Sequence, residues 1–87
     1  MSQPDAAAIA AGVFDVLKNV SRRPIEPALD NELVADLGFD SLQVLELISE
    51  LEDRFDITIP ADDLPTTRTV AQVVERVACL VSEQSTP

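Results

Sequence analysis

The 87-residue sequence predicts an all-α fold: a small four-helix bundle of three main helices and one short one, with a long ordered loop between the first two. Three observations lead there. Apolar residues recur at helical spacing in three separate stretches. Each stretch opens on a capping signal, a small polar or acidic residue with a Glu, Gln or Asp three positions on. Two glycines and three aromatic residues are too few for a small β-barrel or sandwich, which needs many tight turns and β-rich strands.

The first helix is expected over residues 4–20, where Ile9, Val13, Val16, Leu17 and Val20 form one face. "SQPD" offers a Ser with an acid three residues on, and Pro4 is tolerated in a first turn. Gly12 costs about 1 kcal/mol relative to Ala, so this helix relies on packing. The two prolines of "SRRPIEP" end it. Arg22 and Arg23 read as a solvated loop edge, or as partners for nearby acids.

Residues 21–39 form a connection that is long for a compact domain. Its apolar residues Ile25, Leu29, Leu33, Leu37 and Phe39 are expected to pin it to the core, with a helical turn near Asp30–Val34. Gly38 is expected to supply a backbone conformation that other residues resist.

The second main helix, residues 41–55, carries the strongest pattern. Asp40 is a good N-cap, and Gln43 completes a capping box. Val44, Leu47, Ile48, Leu51 and Phe55 form the core face, with Glu46, Glu50 and Asp53 opposite. Leu42 and Leu45 fall outside the core stripe, beside the acids.

"FDITIP" is brief and strand-like but has no second strand to pair with. It reads as an extended linker whose Ile57 and Ile59 plug the core. "PADDLP" is expected to hold the short helical turn, with Leu64 inward. The last helix starts at Thr69 with Gln72 completing its box, and Val70, Val73, Val74, Val77 and Val81 face the core. Cys79 falls opposite that stripe, beside Gln72, Glu75 and Glu83. A single domain spans 1–87, with its core at about 4–83 and a frayed tail at 84–87.

Composition excludes much chemistry. There is no His, and Cys79 is the single cysteine, so neither a Ser-His or Cys-His pair nor a disulfide framework is available. A His-based or multi-cysteine metal site is excluded on the same ground. The acids lack the spacing of a calcium-binding loop. The apolar N-terminal run follows an Asp and no basic residue, which makes a poor signal peptide, so the cytoplasm is the expected compartment. The net charge of −10 disfavours nucleic acid and anionic membranes as partners. All of that charge sits in residues 30–63, which hold eleven acids and Arg54, while the remainder holds five acids and five bases. The block is either a solvated surface or a docking face for basic partners.

Ser41 lies at the centre of that block. "GFDSL" has part of a nucleophile-elbow pattern, but it lacks the second Gly, and the chain offers no His to activate the hydroxyl. A Ser at the first turn of a helix is instead well placed to bear a phosphate ester, because free N–H groups and the positive end of the helix dipole favour an anion there. Another enzyme would then supply the reactivity.

The run "DLGFDSLQVLELISELEDRFDITIP", followed by a threonine-capped last helix, resembles the acyl carrier protein family over most of the chain. The matching features are Asp36-Leu37-Gly38, then Asp40-Ser41-Leu42, then the acidic helix and its Phe-Asp-x-x-Ile-Pro exit. The resemblance implies a freestanding, monomeric carrier that is not itself an enzyme. Ser41 would receive phosphopantetheine from coenzyme A by a separate Mg-dependent phosphopantetheinyl transferase, with Asp40 helping to position the metal. The arm would hold acyl intermediates as thioesters. Further implied partners are an acyl- or aminoacyl-loading ligase and synthases or acyltransferases with basic docking patches. The partner face maps onto Leu42, Leu45, Glu46, Glu52 and Asp53, and the alternative is that both leucines pack under the long loop. Gln43 stands where many fatty-acid carriers have an acid, Arg54 interrupts the acidic run, and Pro65 falls in the short helix. These departures fit a carrier for a specialised pathway or an aminoacyl cargo. The other readings are an aminoacyl or peptidyl carrier, and an acidic helical interaction module without a prosthetic group.

One expected result follows from charge alone. Raising salt from about 10 mM to about 150 mM shortens the Debye length from roughly 30 to 8 Å and weakens repulsion within residues 30–63. The melting temperature should therefore rise with salt. A flat value across ionic strength, read by circular dichroism, would count against self-repulsion in that block.

Overall fold

The computed structural model describes residues 6–22, 24–60 and 67–84. These form three helices, α1 (Ala6–Val20), α2 (Ser41–Phe55) and α3 (Val70–Gln84), with no strand among the described residues. The expected "SQPD" cap, the short helix with Leu64, Arg23 and residues 85–87 lie outside the described residues, while Ser82 to Gln84 continue α3. None of the helices is long and apolar enough to cross a membrane.

The core follows the apolar stripes. Ile9, Val13, Val16, Leu17 and Val20 of α1 are all buried, and α1 packs against both other helices. From α2 come Leu47 and Leu51, with Val44, Ile48 and Phe55 half-buried against them. From α3 come Val70, Val73 and Val77, with Val74 and Val81 partly covered. Gly12 has a packing reason: a Cβ there would lie 2.7 Å from Cζ of Phe55, so the missing side chain lets that ring lie against α1. Arg54, the base within the acidic run, reaches Asp15 of α1 at 3.3 Å. Both partners are well exposed, so the pair contributes about 0–1 kcal/mol.

The C-terminal ends of α1 and α2 are each closed by a specific device. The Ser21 N–H donates to the Leu17 carbonyl as α1 ends. Asp56 closes α2 in the left-handed region at φ 54°, and the N–H groups of Asp56 and Ile57 both donate to the Glu52 carbonyl. The chain then leaves as the expected extended linker. Ile57 and Ile59 are buried, and the Ile59 N–H donates to Glu52 Oε2 at 2.7 Å.

The long loop is held differently from expectation. Leu33, Leu37 and Phe39 are buried and Ile25 is partly buried, but Leu29 is half exposed and does not anchor the loop by its side chain. Its carbonyl does the holding. It accepts from the Ala71 N–H at 2.8 Å, and the Asn31 carbonyl accepts from the Val70 N–H at 2.9 Å. Thr69 Oγ1 accepts from the Gln72 N–H, while Gln72 Oε1 accepts from the Thr69 N–H. Thus the first donors of α3, which an isolated helix leaves unpaired, are satisfied half by its own box and half by the loop. The Leu33 N–H returns a bond to the Arg68 carbonyl, completing a short antiparallel bridge between Glu32 and Thr69. The helical turn also sits later than expected, at residues 33–37 rather than near Asp30–Val34. Asp36 Oδ2 closes it by accepting from the Glu32 N–H at 2.7 Å, and Gly38 follows at φ 73°.

Candidate functional site

The loop ends on two residues that are each held in place before α2 begins. Phe39 is buried, and its N–H donates to the Leu33 carbonyl at 3.0 Å. Asp40, next in the chain, has extended backbone and caps α2. Its Oδ1 accepts from the Gln43 N–H at 2.8 Å, and Gln43 Oε1 accepts from the Asp40 N–H at 3.2 Å. A cap of this kind contributes on the order of 1 kcal/mol. Gln43 is buried in this role, so it is a structural residue and not part of the exposed acidic face.

With capping assigned to Asp40 and Gln43, Ser41 is left exposed, and no described residue hydrogen-bonds its hydroxyl. The N–H groups of Ser41 and Leu42 likewise have no partner among the described residues. A phosphate ester on Ser41 would face those donors and the positive helix end. The observed site therefore fits a phosphodiester-linked group, with attachment chemistry supplied from outside.

The surface around Ser41 divides in two. Leu42, Glu46, Ser49 and Asp53 follow at helical spacing and are all exposed, with Leu42 at 57%. Ser41, Leu45 and Glu52 lie on the neighbouring stripe, and Leu45 is 55% exposed. Neither leucine is buried under the long loop. Glu52 differs from the expectation of a plain surface acid: it is half-buried and spends one carboxylate oxygen on the Ile59 N–H, holding the exit linker. The sequence reading passed over Val34, which is 64% exposed and forms, with Ser41, Val44 and Leu45, a groove of about 300 Å³. Its signal was its position one residue off the Leu33–Leu37 spacing, an apolar side chain turned away from the core. Cys79 is exposed on α3, as expected, and its Sγ lies 3.4 Å from Glu83 Oε2.

Comparison with known proteins assigns the chain to a family. Residues 11–77 match the family model described as a phosphopantetheine attachment site. The chain belongs to the acyl carrier protein family. It is 38% identical over 77 residues to an acyl carrier protein of Syntrophobacter fumaroxidans, covering 85% of this chain and 93% of that one. It is 45% identical over 60 residues to one of Amoebophilus asiaticus, covering 69% of this chain and 75% of that one. A solved structure described as an acyl carrier protein from Mycobacterium tuberculosis superposes with a TM-score of 0.78 at 38% identity, covering 83% of this chain and 97% of that one. This acyl carrier protein therefore bears a covalently attached phosphopantetheine as its prosthetic group. When bound, that group supplies a terminal thiol that holds an acyl chain as a thioester.

Proposed function

We propose that Ser41 is the attachment residue and that the chain carries acyl intermediates, without catalysing their chemistry, for a fatty-acid, polyketide or specialised pathway. The observation that carries this reading is the free, exposed Ser41 hydroxyl at a helix start whose capping is done entirely by its neighbours. In the transfer, the Ser41 oxygen forms a phosphodiester to the phosphopantetheine phosphorus. The pyrophosphate P–O bond of coenzyme A breaks, adenosine bisphosphate leaves, and the hydroxyl proton passes to the transferase or solvent. Asp40 would sit beside the transferase's Mg ion with its second carboxylate oxygen, Oδ1 being engaged by Gln43.

Leu42, Glu46 and Asp53 form the face read by the transferase, by a loading ligase and by synthases or acyltransferases, with Leu45 and Glu52 at its margin. A single apolar contact ringed by charge suits a transient encounter, because the charges steer approach and the small anchor releases quickly.

The test is intact mass after incubation with coenzyme A, Mg and a broad-specificity phosphopantetheinyl transferase. The wild type is expected to gain one phosphopantetheine, and Ser41→Ala none. No gain in the wild type would favour an interaction module without a prosthetic group, and a gain that persists in Ser41→Ala would move the attachment elsewhere. Loading the holo-protein with acyl against aminoacyl substrates then assigns the cargo.

A further inference from the structure

We infer that Asp36 is a positioning residue for transfer to Ser41: its carboxylate locks the 33–37 turn, and that turn holds the segment that presents the serine. This rests on the reading of Ser41 as the attachment residue. Asp36 is exposed, yet its Oδ2 is spent on the Glu32 N–H at 2.7 Å, the length of a charge-assisted bond. The Glu32 carbonyl in turn accepts from the Asp36 N–H and the Leu37 N–H, each at 3.0 Å. Glu32 and Asp36 thus close a reciprocal pair across one helical turn. A single turn needs such support. Its first N–H groups have no partner within the helix, and its few backbone bonds barely offset the ordering they demand.

The constraint passes from Asp36 to Ser41 through backbone bonds. Glu32 is itself fixed by the start of α3. It pairs with Thr69 in the antiparallel bridge, and on either side the Asn31 carbonyl accepts from the Val70 N–H while the Leu33 N–H donates to the Arg68 carbonyl. From Asp36 onward, every N–H before Ser41 is engaged. Asp36 and Leu37 donate to the Glu32 carbonyl, Gly38 to that of Val34 and Phe39 to that of Leu33, and Asp40 donates to Gln43 Oε1 at 3.2 Å. Residues 32–34 are therefore the template on which residues 36–39 are laid, and Asp36 adds a side-chain bond at the template's first N–H. Ser41 directly follows the Asp40 cap, so a shift of the template moves its hydroxyl relative to an enzyme docked on the proposed stripe of α2. A misplacement of about 1 Å can cost about 100-fold in rate.

The experiment compares wild type, Asp36→Ala and Asp36→Asn, each as the full apo chain, as substrates of a broad-specificity phosphopantetheinyl transferase with coenzyme A and Mg. Loading is followed by intact mass. Both variants remove the same negative charge, but the asparagine amide oxygen can still accept from the Glu32 N–H, so the difference between them isolates the hydrogen bond. For Asp36→Ala, kcat is expected to fall by about tenfold or more with KM unchanged. Amide hydrogen exchange at Gly38 and Phe39 should quicken in the same variant, as the turn opens more often. Asp36→Asn should return both kcat and the exchange rates to near wild type. A raised KM with kcat retained in both variants would overturn the inference and make Asp36 a charge read directly by the transferase. Wild-type kinetics in Asp36→Ala would overturn it too, as would a fall in kcat that Asp36→Asn does not restore. Loss of the folded circular-dichroism spectrum in Asp36→Ala would make Asp36 a residue of global stability and overturn it as well. These outcomes all leave Ser41 as the attachment residue. Wild type that does not load, or Ser41→Ala that does, overturns the attachment reading and this inference with it.

Discussion

Phe39→Ala should cost about 3–5 kcal/mol of stability, in the range for a buried aromatic truncated to alanine. Phe39 is 2% exposed and belongs to the largest fully buried side chains of the core. The cost depends on whether the surroundings can collapse into the space left by the ring, and here they are held from three sides. The Phe39 N–H is tied to the Leu33 carbonyl, the Leu33 N–H to the Arg68 carbonyl, and Asp40 to the first turn of α2. Small domains have only about 5–15 kcal/mol to lose, so the change removes a large share of the total. The melting temperature should fall by at least about 12 °C, since each kcal/mol shifts a domain of this size by roughly 4–8 °C. Leu42→Ala is the matched control: 57% exposed, it should change stability by no more than about 0.5 kcal/mol. Urea titrations of both variants read this directly. A loss below about 1 kcal/mol for Phe39→Ala would mean that the loop repacks and that the position of Ser41 is less fixed than these bonds imply.

The same residues show what a sequence can and cannot disclose. The stripe Val13–Leu17–Val20 and the valines of α3 were legible because a helix buries one face and periodicity records which. Both described capping boxes were legible because their partners are side chains at a fixed spacing. The loop was only half legible. Burial of Leu33, Leu37 and Phe39 follows from their character, but the bonds from Val70 and Ala71 to Asn31 and Leu29 join backbone to backbone, which any residue type can supply. Leu29 therefore read as an apolar anchor when its carbonyl is what matters. Glu52 misled for a related reason. On a wheel it belongs with the surface acids, and nothing in helical spacing announces that a linker N–H seven residues later will turn back to it. For the candidate site, the capping of α2 by Asp40 and Gln43, which leaves Ser41 exposed, was legible from their spacing. The groove was not, because it needs Val34 brought across from a turn whose position the sequence placed several residues too early.

The second large effect concerns rate. Glu46→Lys with Asp53→Lys changes the charge of the proposed docking stripe by +4 and takes residues 30–63 from −10 to −6. Both acids are exposed, and the fold should tolerate the exchange, since it relieves repulsion within the block. Charge steering is worth roughly 10- to 1,000-fold in association rate at low salt. The kcat/KM for phosphopantetheine transfer to the variant should therefore fall at least about tenfold at low ionic strength. The gap should narrow as salt rises. The two sites can also be told apart. Asp53 lies twelve residues beyond Ser41 on one helix, about 18 Å at 1.5 Å per residue. That exceeds the Debye length of about 8 Å at physiological salt, so a field from Asp53 hardly reaches the Ser41 oxygen. Glu46 is five residues away, about 7.5 Å, and its field does reach. A defect in Asp53→Lys that survives at about 0.15 M salt must then come from direct contact with the partner. A defect confined to Glu46→Lys would instead mark an electrostatic effect on Ser41 itself. Unchanged rates for the double variant at low salt would place the docking face off this stripe.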